Sequence, residues 1–135
     1  MRILGIDPGE RRIGLAVSDP FGIMAQGLDT FDKKHDGDFV EHVKQLAEQM
    51  EVGEIVVGNP LRGSGEAGES SRRATELARA LQQKVGIKVT LWDERYSSQE
   101  AHRVLKGSRA GKAAVDKVAA MLILQSYLDY QENQR

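Results

Sequence analysis

An apolar run that breaks on a carboxylate constrains this chain more than any other feature. Ile3-Leu4-Gly5-Ile6 leads into Asp7 and then Pro8-Gly9, and proline ends a strand because it has no backbone N–H for the ladder. Apolar residues on both faces of Arg2–Asp7 require a strand in the middle of a sheet, covered above and below. Arg12–Ser18 then returns as a second strand, so Pro8-Gly9-Glu10-Arg11 is a hairpin turn. Gly9 is available there for a positive φ, and Gly14 in mid-strand signals close backbone approach or a bulge. The hairpin leaves one charged side chain, Asp7, at the end of a central strand.

The remaining residues supply a complete α/β domain. Ile23 to Phe31 reads as a third, less regular strand, followed by a polar loop over 32–38. Asp38 is an N-cap for a helix through Met50, in which Phe39, Val43, Leu46, Ala47 and Met50 recur at helical spacing and Gly53 closes the unit. Glu54–Gly58 is a short buried strand stopped by Asn59-Pro60. The stretch from Arg62 to Gly68 holds three glycines and reads as a flexible loop. A helix over about Ser70 to Val85 ends at Gly86. Lys88–Trp92 is the fifth strand and runs into Asp93-Glu94-Arg95. Ser97-Ser98-Gln99-Glu100 matches a capping box for a short helix to about Leu105, and Lys106 to Lys112 is a basic flexible loop. A last helix runs from Ala113 to about Tyr130, with Val115, Val118, Ala119, Leu122, Ile123 and Ser126 on its inner face. The expectation is one domain over 1–135: a three-strand antiparallel meander plus two parallel strands, flanked by helices.

Composition narrows the class. There is no cysteine, hence no disulfide framework and no thiolate metal site. No apolar run approaches the roughly 20 residues of a membrane helix, and no signal-peptide pattern opens the chain, so a cytoplasmic protein without membrane association is expected. The net charge of -1 hides a split, with 7 Lys+Arg against 13 Asp+Glu in residues 1–69 and 12 against 7 in residues 70–135. The basic second half suits an anionic partner as well as it suits solvated helix faces.

Three carboxylates fall at element ends. Asp7 follows the first strand and Glu94 the fifth; if these strands run parallel, both lie at the carboxyl edge of the sheet, where ligands of open α/β sheets bind. Asp116 lies about one turn inside the last helix, flanked by Val115 and Val118. Each has a plain structural alternative: a turn cap for Asp7, an exposed strand-end pair with Arg95 for Glu94, and a helix-dipole partner for Asp116. Together they suit a hard divalent cation, Mg²⁺ or Mn²⁺, bound through oxygen.

Several motifs carry a resemblance over the whole chain. They are Gly5-Ile6-Asp7-Pro8-Gly9 with Arg12-Ile13-Gly14-Leu15-Ala16-Val17-Ser18-Asp19, then Val57-Gly58-Asn59-Pro60-Leu61, Trp92-Asp93-Glu94-Arg95-Tyr96-Ser97-Ser98-Gln99-Glu100-Ala101 and Val115-Asp116-Lys117-Val118-Ala119-Ala120. The chain resembles the YqgF family, also called RuvX, of pre-16S rRNA nucleases and Holliday junction resolvase-like proteins. The resemblance implies an RNase H-like fold, a catalytic and metal-binding triad of Asp7, Glu94 and Asp116, and processing of the 5′ end of pre-16S ribosomal RNA in ribosome biogenesis. One departure stands out: the family's Leu-Pro-Leu followed by a Met-Asp-Gly-like turn is here Asn59-Pro60-Leu61-Arg62-Gly63.

The chemistry these readings imply is phosphodiester hydrolysis, with two divalent ions roughly 4 Å apart clamping the scissile phosphate. The cations expected to hold nucleic acid around such a site are Arg11, Arg12, Arg62, Arg72, Arg73, Arg95, Lys106, Arg109 and Lys112. Tyr96 could stack on a base, and Trp92 reads as core. Three alternatives stay open: a Holliday junction resolvase acting on four-way DNA, a non-catalytic nucleic-acid-binding protein of the same fold, and an actin-like ATPase. The last is disfavoured because such enzymes need two related domains. The substrate is RNA or junction DNA, with RNA favoured by the resemblance alone. The chain is a monomer or homodimer, the dimer being what two symmetric cuts would require.

Overall fold

The computed structural model describes residues 1–61 and 68–134. Its elements in chain order are β1 (Arg2–Asp7), β2 (Arg12–Ser18), β3 (Ala25–Asp32), α1 (Phe39–Gln49), β4 (Val52–Asn59), α2 (Glu69–Val85), β5 (Lys88–Asp93), a 3₁₀ turn (Glu94–Tyr96), α3 (Gln99–Lys106) and α4 (Lys112–Asn133). The five strands form one sheet in the order β3-β2-β1-β4-β5. β2 is antiparallel to both β1 and β3, while β4 is parallel to both β1 and β5. This is the mixed sheet expected from the sequence, with β1 at its centre.

Alternation along the strands divides the core. Leu4 and Ile6 of β1, Leu15 of β2, and Ile55 and Val57 of β4 are fully buried on one face, against Phe39 and Val43 of α1 and Ala74, Ala78 and Leu81 of α2. Each such side chain contributes about 1.5–3 kcal/mol relative to its exposed state. The opposite face belongs to α4, whose Ala120, Ile123 and Leu124 cover Ala16 and Val56. With a side-chain period of 2, the residues of β1 on this face are Ile3, Gly5 and Asp7. The carboxylate therefore points to the α4 side.

Small residues let α4 lie close to the sheet. A Cβ on Gly5 would stand 2.7 Å from the Leu124 Cβ, and one on Gly14 would stand 2.1 Å from the Asp116 carbonyl oxygen. Gly14 thus admits a backbone, and the β2–β3 register also shifts at this position, so both expected uses of a mid-strand glycine are present. The buried residues of α4 are Ala119, Ala120, Ile123, Leu124, Tyr127 and Leu128. The stripe is therefore turned by about one position from the expected face: Val118 is exposed, and Val115, Leu122 and Ser126 are only partly buried. Polar contacts also fix the helix. Thr30 Oγ1 donates to the Ala113 carbonyl (2.6 Å), Gln125 Nε2 donates to the Ile23 carbonyl (2.9 Å), Trp92 Nε1 donates to Ser126 Oγ (2.8 Å), and Tyr127 Oη donates to Glu54 (2.5 Å). Burial and the Glu54 carboxylate push the Tyr127 phenol up to about 12.

Other boundaries moved in ways with clear causes. Asp38 caps α1 by accepting from the Glu41 N–H at 3.2 Å, and Gly86 ends α2 in the left-handed conformation (φ 79°), both as expected. Gly53 does not close the α1 unit; Met50 is the cap, and Gly53 lies inside β4. Gly9 does not adopt positive φ; its need is steric, since a Cβ there would lie 2.2 Å from the Arg12 carbonyl oxygen. The basic segment from Lys106 to Lys112 is not one loop, for Lys106 ends α3 and Lys112 begins α4. The glycine-rich stretch, Arg62 included, lies outside the described residues apart from its last glycine, Gly68.

Candidate active site

The parallel strands bring their carboxyl ends into line. Ile6 pairs with Val57, Gly58 with Trp92, and Asn59 with Asp93, so Asp7, Gly58 and Glu94 are neighbours across the sheet edge. Glu94 leaves β5 in the 3₁₀ turn, and its backbone is clamped. Its carbonyl accepts from the Ser97 N–H (3.0 Å), the Ser97 hydroxyl (2.7 Å) and Gln99 Nε2 (3.0 Å). Ser97 is buried, and with its hydrogen directed to Glu94 its oxygen accepts from His102 Nε2 at 2.9 Å. The capping residue of α3 is Ser98, which accepts from the Ala101 N–H, and not Ser97. In the sequence Ser97 reads as the cap, because Glu100 follows it at capping-box spacing, so the clamp could not be read there.

Glu94 then reaches over Gly58 toward Asp7. A Cβ on Gly58 would fall 3.1 Å from Glu94 Oε1 and 3.0 Å from Ile123 Cδ1, so the missing side chain is the space the carboxylate uses. The Asp7 and Glu94 side chains lie within hydrogen-bonding reach of each other. Burial raises the Asp7 carboxyl well above its ordinary range, and the charges of Glu94 and Asp116 raise it further, while Lys106 opposes them. Burial also raises Glu94, but the hydrogen bond from Asp7 and the charge of Lys106 hold it down relative to Asp7. Burial and the same lysine lower the His102 imidazole.

Asp116 faces the sheet from the first turns of α4, close enough for its charge to act on Asp7. Its carboxylate is not free, however. Arg12 Nε donates to Asp116 Oδ2 at 2.8 Å, with both side chains about one-quarter exposed. Among the described residues no three carboxylate or imidazole side chains converge tightly enough to enclose one ion. The arrangement is a close carboxyl pair, Asp7–Glu94, beside a third carboxylate held by an arginine.

The expected cations divide. Arg12 and Lys106 are at the carboxylates. Arg11 turns toward Asp32 (3.7 Å) and Arg73 toward Glu10 (3.9 Å), so both border the β1–β2 turn. Arg95 is held against Asp93, its Nη2 2.7 Å from Oδ2, which removes the suggested pairing with Glu94. Arg72 forms an exposed pair with Glu69 within α2, while Arg109 and Lys112 are exposed between α3 and α4. Beyond the expected set, Ser71 donates to Asn59 Oδ1 at 2.7 Å, which ties the start of α2 to the end of β4 beside the site.

The fold is that of RuvC-type resolvases, in the RNase H-like class. Thermus thermophilus RuvC superposes with a TM-score of 0.60 at 13% identity, covering 98% of this chain and 97% of that one. The fowlpox virus Holliday junction resolvase gives 0.55 at 12% identity, covering 96% and 99%. The family model described as "RuvX: Holliday junction resolvase" matches residues 1–130, and this chain belongs to that family. Among its relatives, a protein of Koribacter versatilis named "Putative pre-16S rRNA nuclease" is 47% identical over 132 residues, covering 95% of this chain and 86% of the relative. A protein of the same name from Thermoanaerobacter pseudethanolicus is 42% identical over 138 residues, covering 98% and 99%.

Proposed function

We propose that the protein is a divalent-metal-dependent nuclease that hydrolyses phosphodiester bonds of structured RNA, acting at the 5′ end of pre-16S rRNA in the bacterial cytoplasm. The observation that carries the metal site is the close, part-buried Asp7–Glu94 pair, whose carboxyl groups are both pushed up and whose mutual repulsion a bound cation would relieve. All three donors are hard carboxylate oxygens, the set that suits Mg²⁺ or Mn²⁺. Asp7 and Glu94 would hold the cation, and Asp116 would join them once Arg12 releases it. The bound metal supplies Lewis-acid stabilisation of the phosphate and a water nucleophile at neutral pH.

The chain's own groups account for the rest. The Ser97–Gln99 clamp fixes the Glu94 backbone, and Gly58 leaves the path by which its carboxylate meets Asp7. Arg12, released from Asp116, and Lys106 bring positive charge to the phosphate. Arg11 and Arg73, beside the β1–β2 turn, extend a cationic border along which a backbone can be tracked. The names of the relatives favour RNA. The family description and the RuvC-like fold favour a second reading, cleavage of four-way DNA junctions by a homodimer.

Cleavage of a labelled pre-16S 5′-leader RNA, a four-way DNA junction and an unstructured strand, run side by side with Mg²⁺, decides between these. The proposal predicts Mg²⁺-dependent cuts in the RNA. Symmetric cutting of the junction alone, by a species of twice the monomer mass, would replace it with the resolvase reading.

A further inference from the structure

On the α4 side of the 3₁₀ turn that carries Glu94, three aromatic rings line an open groove of about 670 Å³. Trp92 is its floor, mostly buried and fixed by its hydrogen bond to Ser126. Tyr96 and Tyr130 flank it, with ring centroids 5.1 and 5.2 Å from the indole and inclined to it by 50° and 53°. Both tyrosines are presented outward, 69% and 48% exposed. A core use of these rings would hide them. Instead the buried Trp92 holds two tyrosine faces open to solvent.

The lining identifies the occupant by charge. Among the described residues the groove carries no lysine or arginine, and its one charged group is Asp129, which accepts from Gln125. A phosphate is repelled there; an uncharged flat ring with hydrogen-bonding edges is not. The Asn133 amide and the Asp129 carboxylate offer donors and acceptors for such edges. The volume falls in the range of about 300–1,000 Å³ usual for small-molecule sites. Tyr96 lies two residues from Glu94 in the same 3₁₀ turn, so the rim of the groove is on the element that carries the carboxylate.

We infer that this groove is a nucleobase site, in which an unpaired base next to the scissile phosphate stacks on Tyr96 and Tyr130. The inference rests on the nuclease reading for the placement of the phosphate. It assigns the two contacts to separate surfaces, backbone to the carboxylates and arginines, and base to the aromatic groove. The enzyme then requires a flipped or single-stranded nucleotide at the cut and does not read its identity strictly, because every base has a stacking face.

The test is equilibrium binding in EDTA, where no cleavage occurs, of a labelled single strand and of the same strand with abasic sugars at its centre. Wild type binds the intact strand more tightly. Tyr96→Ala and Tyr130→Ala each lose about 5- to 150-fold for the intact strand and leave abasic binding unchanged, while Tyr96→Phe retains wild-type affinity. Thermal melts of the variants, with wild-type cooperativity, show that they are folded. Equal affinity of wild type for the two strands, or an equal loss for both in the alanine variants, overturns the inference. So does a change in solution mass on Tyr96→Ala, which would make the groove an interface between copies. Cleavage in Mg²⁺ by wild type and Asp7→Asn is scored separately, so a failed base site with intact cleavage and a sound base site without cleavage are distinct results.

Discussion

Asp7→Asn should make the metal-free protein more stable at neutral pH, and the structure sets the scale. Asp7 and Glu94 are at hydrogen-bonding separation, roughly 3 Å, where two full charges at an effective dielectric of about 20 repel by about 5–6 kcal/mol. That is an upper bound, because the raised Asp7 pKa lets the pair take up a proton in place of bearing the full repulsion. The remaining cost at pH 7 is that of holding this proton, about 1.4 kcal/mol for each unit by which the Asp7 pKa is raised short of the ambient pH. Asparagine keeps the donor and removes the charge, so a gain of about 1–3 kcal/mol is expected. For a domain between the 100- and 150-residue benchmarks this is about 3–12 °C in Tm. The sign follows from linkage. The folded pKa of Asp7 lies above its unfolded value, so its favourable contribution is complete below the ordinary carboxylate range of about 3.9 and disappears as pH rises through the folded pKa. The advantage of Asp7→Asn should therefore be largest near pH 8 and vanish near pH 4. Thermal melts in EDTA across that range measure it. A variant less stable than wild type at pH 8, or an advantage independent of pH, would refute the raised pKa of Asp7.

Three further substitutions test how the site is held. Arg12→Gln breaks the part-buried pair with Asp116 and should cost about 1–2 kcal/mol without metal. It should also tighten Mg²⁺ binding, seen as a larger Tm rise on Mg²⁺ titration, by freeing the third carboxylate. Gly14→Ala places a Cβ 2.1 Å from the Asp116 carbonyl and should cost about 2–4 kcal/mol in denaturant melts, since backbone cannot yield as a side chain can. Gly58→Ala meets only the movable ends of Ile123 and Glu94. It should cost under about 1.5 kcal/mol while lowering kcat by about tenfold or more through displacement of Glu94.

How much of this was legible in the sequence depended on whether the cause was local. The Ile3–Gly9 run fixed a strand, its end and the place of Asp7 without help from the rest of the chain. Glu94 was legible as the residue after a strand, and Asp116 as an inward carboxylate of an amphipathic helix. Its partner was not, because Arg12 lies 104 residues away and reads equally well as a free cation in a turn. The inner face of α4 was misplaced for a related reason. Hydrophobicity favours a stripe through Val115, Val118 and Leu122, whereas the sheet beneath α4 presents Gly5, Gly14 and Ala16 and takes the helix on Ala120 and Leu124. A face chosen by close approach is invisible until the partner surface is known. Gly58 was likewise part of a motif without a role, until its missing Cβ proved to be the space that Glu94 occupies.

The most direct test of the central claim is Mg²⁺-dependent cleavage of a labelled structured RNA by wild type and Asp7→Asn under single-turnover conditions. The account predicts cuts by wild type that EDTA abolishes and Mg²⁺ restores, and at least a thousandfold slower cleavage by the folded asparagine variant. Undiminished cleavage by Asp7→Asn, or cleavage by wild type that persists in EDTA, would contradict it.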